Sequence, residues 1–201
     1  VDYTLDRLGR LCVEYEARTD ALTAVNLTQH AYFNLAADHA QGCRMHRVRI
    51  EAERFLETDA DGLPTGRILN VEGSALDLRD WRSMSDALGS SDALIRRASG
   101  YDHTLLVGEA GKAFREFAFV ESPDARVVMA VATDQPSLQF YTGNFLRGTP
   151  ARDGALYDDY AGFCLEAQGL PDATRHASFP NVLLQPGEVY RQRTYYRFAA
   201  S

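Results

Sequence analysis

The chain has 201 residues, 45% hydrophobic and 24% charged, close to the average for a soluble globular domain, which excludes a disordered or collagen-like polypeptide. Twenty-eight acidic against 21 basic residues give a net charge of −7, so there is no basic stripe to neutralise phosphates, and nucleic acid or an anionic membrane is a poor partner. No stretch reaches the ~18 consecutive apolar residues of a membrane span, and no signal-peptide zoning opens the chain. Three cysteines, Cys12, Cys43 and Cys164, lack CxxC spacing, which excludes a disulfide framework and a zinc site built from thiols alone. Reduced thiols in a cytoplasmic setting are the default.

Neither a fixed-period repeat nor a low-complexity tract or linker interrupts the chain, so residues 1–201 read as one domain. The first strong signal is period-two alternation, with Leu11, Val13, Tyr15 and Ala17 on one face and Cys12, Glu14, Glu16 and Arg18 on the other, which predicts a half-buried strand. Helical signals are confined to short pieces around 28–36 and 80–88 without a sustained 3.6 period. Further strands are predicted over 46–52, 115–120, 126–133, 137–142, 162–168 and 188–198. Between Arg126 and Thr133 both faces are apolar, as expected of a strand covered on both sides and lying between layers. The last strand sets Arg191, Arg193 and Arg197 on one face, which suits an outer position. Many strands and few helices predict an all-β protein, a large antiparallel β-sandwich.

Four segments concentrate chemistry. Residues 26–35, NLTQHAYFNL, bring His30 together with amides and aromatics at the end of an apolar strand; such a histidine reads either as a structural residue or as a catalyst in a sugar-sized pocket. Asn26-Leu27-Thr28 also fits a glycosylation sequon, an accident where no secretory signal precedes it. Gly100-Tyr101-Asp102-His103 places a carboxylate and an imidazole at a strand entrance, where turn chemistry alone would explain the aspartate. In 137–145, Gln139 reads as a polyol ligand or as a residue on a solvated face. Residues 162–168, GFCLEAQ, put Glu166 in the middle of an apolar strand; a glutamate in that position is either an edge residue facing water or a group with a perturbed environment, the usual footing of a general base. Asp59-Ala60-Asp61-Gly62 opens like a calcium loop but has Leu63, Pro64 and Asn70 where ligands and glycine are required, so it reads as a turn. Histidines 30, 39, 46, 103 and 176 offer no metal-ligand spacing, and no metal is predicted.

Taken together, these motifs resemble, in order, those of the aldose 1-epimerase (galactose mutarotase) family. Asn26 to Leu35 match its N-L-T-x-H-x-Y-F-N-L, Tyr101-Asp102-His103 its Y-D-H, Gln139 to Phe145 its Q-F-Y-T-G-N-F, and Gly162 to Gln168 with Pro171-Asp172 its G-F-x-L-E-x-Q…P-D. The resemblance covers essentially the whole chain and implies the family's β-sandwich and interconversion of α and β anomers of a free aldose, without a cofactor. It makes Glu166 the base that takes the C1 hydroxyl proton, His30 the acid that protonates the ring oxygen from the opposite side of the anomeric centre, and Asp102 and Gln139 the holders of sugar hydroxyls. Asp102 near His30 would also stabilise an imidazolium. Thr104 stands where Asn is common in the family, Ala167 where Thr is usual, and Asp77-Leu78-Arg79 where D-F-R is usual. The resemblance also implies that the family's N-terminal section, with an arginine and a further histidine, lies in the parent chain ahead of Val1. That section is an expected partner of this piece besides the monosaccharide, and its absence leaves a periplasmic location open. Two other functions fit the residues. One is a carbohydrate-binding sandwich without catalysis. The other is a relative acting on a sugar phosphate, disfavoured by the acidic balance and the single lysine, Lys112.

Overall fold

A computed structural model describes residues 1–108 and 114–200; Lys112 lies outside the described residues. Two antiparallel sheets dominate. The seven-stranded sheet runs in the order β1 (Asp2–Leu5), β2 (Arg10–Ala17), β14 (Tyr190–Ala200), β10 (Val127–Thr133), β9 (Arg115–Glu121), β4 (Arg47–Ile50) and β7 (Arg82–Ser83). The five-stranded sheet runs β12 (Cys164–Gln168), β11 (Ser137–Tyr141), β8 (Asp102–Leu106), β5 (Arg54–Thr58) and β6 (Pro64–Asn70). A short pair, β3 (Thr23–Ala24) with β13 (Leu183–Leu184), two short helices, α1 (Met84–Leu88) and α2 (Ala93–Ala98), and two 3₁₀ turns, His39–Gln41 and Ala173–Arg175, complete the described elements. None of the described helices is long and apolar enough to cross a membrane.

The inner faces of both sheets share one core. Val13, Ile50, Val120, Met129, Val131 and Tyr196 come from the larger sheet, and Phe55, Leu105, Leu138, Phe140 and Leu165 from the smaller. Alternation explains the sidedness: in β14 the buried residues Gln192, Thr194 and Tyr196 alternate with the partly exposed Arg191, Arg193, Tyr195 and Arg197. β14 therefore does turn charge toward water. It is not outermost within its sheet, however, since β2 and β10 flank it on either side.

β10 corrects a second expectation. Met129 and Val131 face the core, but Ala130 and Ala132 are covered by long side chains of neighbouring strands rather than by another layer. Arg197 and Glu116, paired at 2.6 Å, and Tyr195 flank the groove over these two alanines. Small residues under long ones satisfy burial without a third layer.

Segment 28–36 is not helical. Its backbone runs extended alongside β12, and of the second helical piece only Met84–Leu88 coils, capped by Ser83, whose side chain accepts from the Ser85 N–H. The 59–62 segment is the predicted turn: Asp59 Oδ1 accepts from the amides of Asp61 and Leu63 between β5 and β6. Neither of those strands, nor β8, α2 or the short strands, was legible in the alternation. At the other end of the larger sheet, β1 is exposed along its whole length, with Tyr3 and Leu5 uncovered.

Candidate active site

The register of the smaller sheet builds the site. β11 lies between β12 and β8, so Gln139 stands opposite Glu166 on one side and Thr104 on the other. Two residues along, Tyr141 stands opposite Cys164 and Asp102. Opposed residues in antiparallel strands point to the same face, so these six side chains form two adjacent rows on one face. The alternate residues Leu165, Phe140 and Leu105 point the other way, into the core.

Within the rows, Thr104 Oγ1 donates to Gln139 Oε1 at 2.5 Å, and Gln139 Nε2 donates to Asp102 Oδ1 at 2.6 Å. This chain fixes the amide orientation of Gln139. Burial raises the Asp102 carboxyl above its ordinary value of 3.8, against the lowering effect of the Gln139 hydrogen bond and of His30. Burial likewise raises Glu166 above 4.5; the nearby His30 opposes the shift and the Asp102 charge adds to it. A carboxylate made more basic this way, with its side chain only 8% exposed, is suited to accept a proton.

His30 reaches the rows from the segment beside β12, which is the edge strand of its sheet. The outward-facing backbone groups of an edge strand need partners. Here Asn26 clamps Gly169, donating to its carbonyl at 3.0 Å and accepting from its amide at 2.8 Å. Thr28 Oγ1 donates to the Ala167 carbonyl at 3.0 Å, and Phe33 and Phe163 exchange backbone hydrogen bonds at 2.7 and 2.9 Å. From behind, Gln192 and Tyr196 of β14 donate to the carbonyls of Ala167 and Leu165. Fastened at both ends, the segment holds His30 with Nε2 3.6 Å from Glu166 Oε1 and Nδ1 3.5 Å from Cys164 Sγ. Tyr32 packs on the imidazole at 5.1 Å between ring centroids, and Tyr141 meets it edge-on at 6.4 Å.

The structure thus brings all four sequence-predicted site residues, His30, Asp102, Gln139 and Glu166, to one sheet face. His30 and Glu166 stand side by side there, with Nε2 3.6 Å from Oε1. Beside them opens a cleft of about 430 Å³ whose wall includes Asp102, Thr104, Gln139, Gln168 and Phe145. Its polar lining next to aromatic rings suits a hydroxylated ligand.

Several residues escaped sequence reasoning. Tyr32, Tyr141 and Cys164 sit in quoted motifs, and their two-residue spacing from Tyr141 to Gln139 and from Cys164 to Glu166 would have placed the last two on the site face. Thr142 and Asn144 support the site from the turn after β11. The Tyr101 amide donates to Thr142 Oγ1 at 3.0 Å, and Asn144 Nδ2 donates to the carbonyls of Ala98 and Tyr101, fixing the entry to β8 one residue before Asp102. Gly100 makes this possible: its φ is +147°, and a Cβ there would lie 2.3 Å from Asn144 Oδ1. His46 is a structural histidine, buried, with Nε2 accepting from the Leu35 amide at 2.9 Å and Nδ1 donating to the Cys43 carbonyl at 3.1 Å.

The chain belongs to the aldose 1-epimerase family: the family's profile, described as "Aldose 1-epimerase", matches residues 1–197 of this two-sheet antiparallel sandwich. Among its relatives, galactose mutarotase of Bos taurus is 42% identical over 202 residues, covering all of this chain and 57% of the relative. Aldose 1-epimerase of Escherichia coli K12 is 37% identical over 203 residues, covering all of this chain and 58% of the relative. Of solved structures, a galactose mutarotase/aldose epimerase homologue from Caenorhabditis elegans superposes with a TM-score of 0.86 at 26% identity, over 98% of this chain and 58% of that one. Galactose 1-epimerase from Lactobacillus acidophilus gives 0.84 at 28% identity, over 99% and 56%. The fold is galactose mutarotase-like, and the chain spans 57% of the length of the mammalian relatives it matches.

Proposed function

We propose that this chain carries the acid–base face of an aldose 1-epimerase that interconverts the α and β anomers of a free aldose of the glucose or galactose type. The observation that carries the reading is the pairing of Glu166, buried and made more basic, with His30 at 3.6 Å, beside the Thr104–Gln139–Asp102 chain.

The chemistry follows from the placement. The two oxygens to be served, the C1 hydroxyl and the ring oxygen, are bonded to the same carbon, so an acid and a base standing side by side reach both. Glu166 takes the hydroxyl proton as the C1–O5 bond breaks, and the electron pair leaving with O5 is met by the proton that His30 carries. The result is the open-chain aldehyde. C1 turns about the C1–C2 bond, presenting its other face to O5. Reclosure reverses both transfers: the O5 hydroxyl returns its proton to His30 and attacks C1, and the carbonyl oxygen regains the proton held by Glu166. No net proton is gained or lost. Gln139 and Asp102, locked in orientation by each other, hold the sugar hydroxyls, and the reaction as drawn calls for no cofactor.

The three free thiols support a reducing, cytoplasmic setting. Polarimetry on freshly dissolved α-glucose and α-galactose tests the function, run on a protein of the relatives' full length and on these 201 residues. Acceleration over the buffer blank that Glu166→Gln abolishes is the expected result; binding of sugar with no acceleration in the full-length protein refutes it.

A further inference from the structure

We propose that Cys164, His30 and Glu166 form a binding site for a thiophilic divalent cation such as Zn²⁺, and that the cation and the sugar exclude one another. The site goes beyond the acid–base reading, because it enlists a thiol to which that reading gives no task; the exclusion rests on it.

Geometry is the first argument. One ligand atom from each of the three residues lies within 4.8 Å of the others. Zinc–sulfur and zinc–nitrogen bonds of about 2.3 Å and 2.0–2.1 Å in a tetrahedral arrangement put sulfur and nitrogen about 3.5 Å apart. The Sγ of Cys164 and Nδ1 of His30 are 3.5 Å apart. His30 is half exposed and turns without disturbing the core, whereas the other two ligands are fixed two residues apart on the site face of β12. Chain connectivity therefore supplies two rigid donors and one adjustable donor.

Chemistry is the second. Three protein ligands leave a fourth position for water or another ligand, and a thiolate with an imidazole selects zinc-like cations over the oxygen-seeking Mg²⁺ and Ca²⁺. Binding replaces the thiol proton with the metal and releases that proton to solvent. The bound cation takes up the carboxylate lone pair that would receive the hydroxyl proton, and its bond to Nδ1 keeps the imidazole from carrying a second proton. Occupancy and anomer exchange cannot coexist at this site.

The test uses the full protein, reduced and freed of metal by chelation. Zn²⁺ is titrated calorimetrically, and Co²⁺ is followed by its thiolate-to-metal absorption. One equivalent of Zn²⁺ and a thiolate band are expected. Cys164→Ser abolishes the band and weakens Zn²⁺ binding at least tenfold; His30→Gln, at a half-exposed position where folding is safe, weakens it at least tenfold too; Cys12→Ser changes neither. Absence of binding, or unchanged affinity in His30→Gln, overturns the site. Polarimetry in stoichiometric Zn²⁺ addresses the exclusion: the rate falls to the blank in the wild type, and the half-inhibiting concentration rises at least tenfold in Cys12→Ser/Cys164→Ser relative to Cys12→Ser. Zinc bound without loss of rate overturns the exclusion. A protein that binds zinc but never accelerates mutarotation sustains the metal site and refutes the functional reading.

Discussion

Glu166 and Gln139 are directly opposed cross-strand partners, so the proposed base and the amide proposed to hold the sugar share one row of a single sheet. Their separation is set by the backbone ladder rather than by loop conformation, which makes the row stiff and its perturbations readable.

Replacing the base removes the proton acceptor and little else. Glu166→Gln is expected to lower kcat by roughly 10²–10⁴-fold, the range typical of one general-base step, with KM changed much less. In the wild type, kcat/KM falls on acidification as Glu166 takes up a proton, and because burial raises its pKa this limb lies above 4.5. A pH–rate profile by polarimetry with the limb at or below 4.5 contradicts the assignment.

Thr104 fixes the Gln139 amide that is proposed to hold the sugar. Thr104→Val keeps the shape and removes the hydroxyl that donates to Gln139 Oε1, freeing the amide to flip and leave Asp102 without its donor. A rise in KM of about 3–10-fold with a smaller change in kcat is expected, corresponding to one hydrogen bond worth about 1 kcal/mol. Saturation kinetics with α-galactose distinguish this from a loss confined to kcat.

Asn26 holds the His30 segment from a distance. Asn26→Ala breaks both hydrogen bonds to Gly169 and leaves an edge amide and carbonyl bare, costing about 1–3 kcal/mol in urea denaturation. The rate should fall as well, while sugar contacts of Asp102 and Gln139 persist. A loss of stability with full activity would show that His30 needs no such tether.

Acid stability has a worked sign. His46 and His103 are buried and lowered from 6.5 to about 4 by desolvation. Between those values the unfolded chain binds protons that the folded chain refuses, so their contribution to stability is complete above pH 6.5 and is lost as pH falls toward 4, by at most about 1.4 kcal/mol per pH unit for each ring. Asp102 and Glu166, raised by burial, act with the opposite sign just above the ordinary carboxylate range. Comparing wild type with His46→Gln in urea at pH 7, 6 and 5 isolates one ring: the variant should show the shallower loss on acidification.

Gly100 tests the support behind Asp102. In Gly100→Ala the new methyl meets Asn144 Oδ1 and Thr142 Oγ1 at 2.3 and 2.7 Å, forcing apart the hydrogen bonds that begin β8. Destabilisation of about 2 kcal/mol or more is expected from thermal unfolding, above the cost of the positive φ alone.

Apolar patterning made the long strands legible, by alternation in β2 and β14 and by a run apolar on both faces in β10: β2, β9, β10, β11, β12 and β14 all lie within the predicted segments or within two residues of them. β5 escaped because Phe55 and Leu56 are buried side by side without alternation, β6 because its covered positions are only half buried, and β8 was legible only as a strand entrance at Asp102–His103, since Thr104, buried on the site face, breaks the apolar run. The site was legible through motifs, and those do not say which polar residues touch substrate. Asn26 and Thr28 are as conspicuous in sequence as His30, yet their side chains are spent on the β12 edge. Pairing between strands distant in sequence, which sets Thr104 against Gln139 and Cys164 beside His30, is a tertiary fact that no local pattern carries.

The alternation of β8, β11 and β12 also divides evolutionary labour. Odd-numbered positions of β12 and even-numbered positions of β11 maintain the interior, while the intervening positions of both strands turn to the site face. On the proposed function, a change of preferred sugar would be made one side chain at a time on these rows, as Thr104 and its partner amide illustrate, with the scaffold that aims them left untouched.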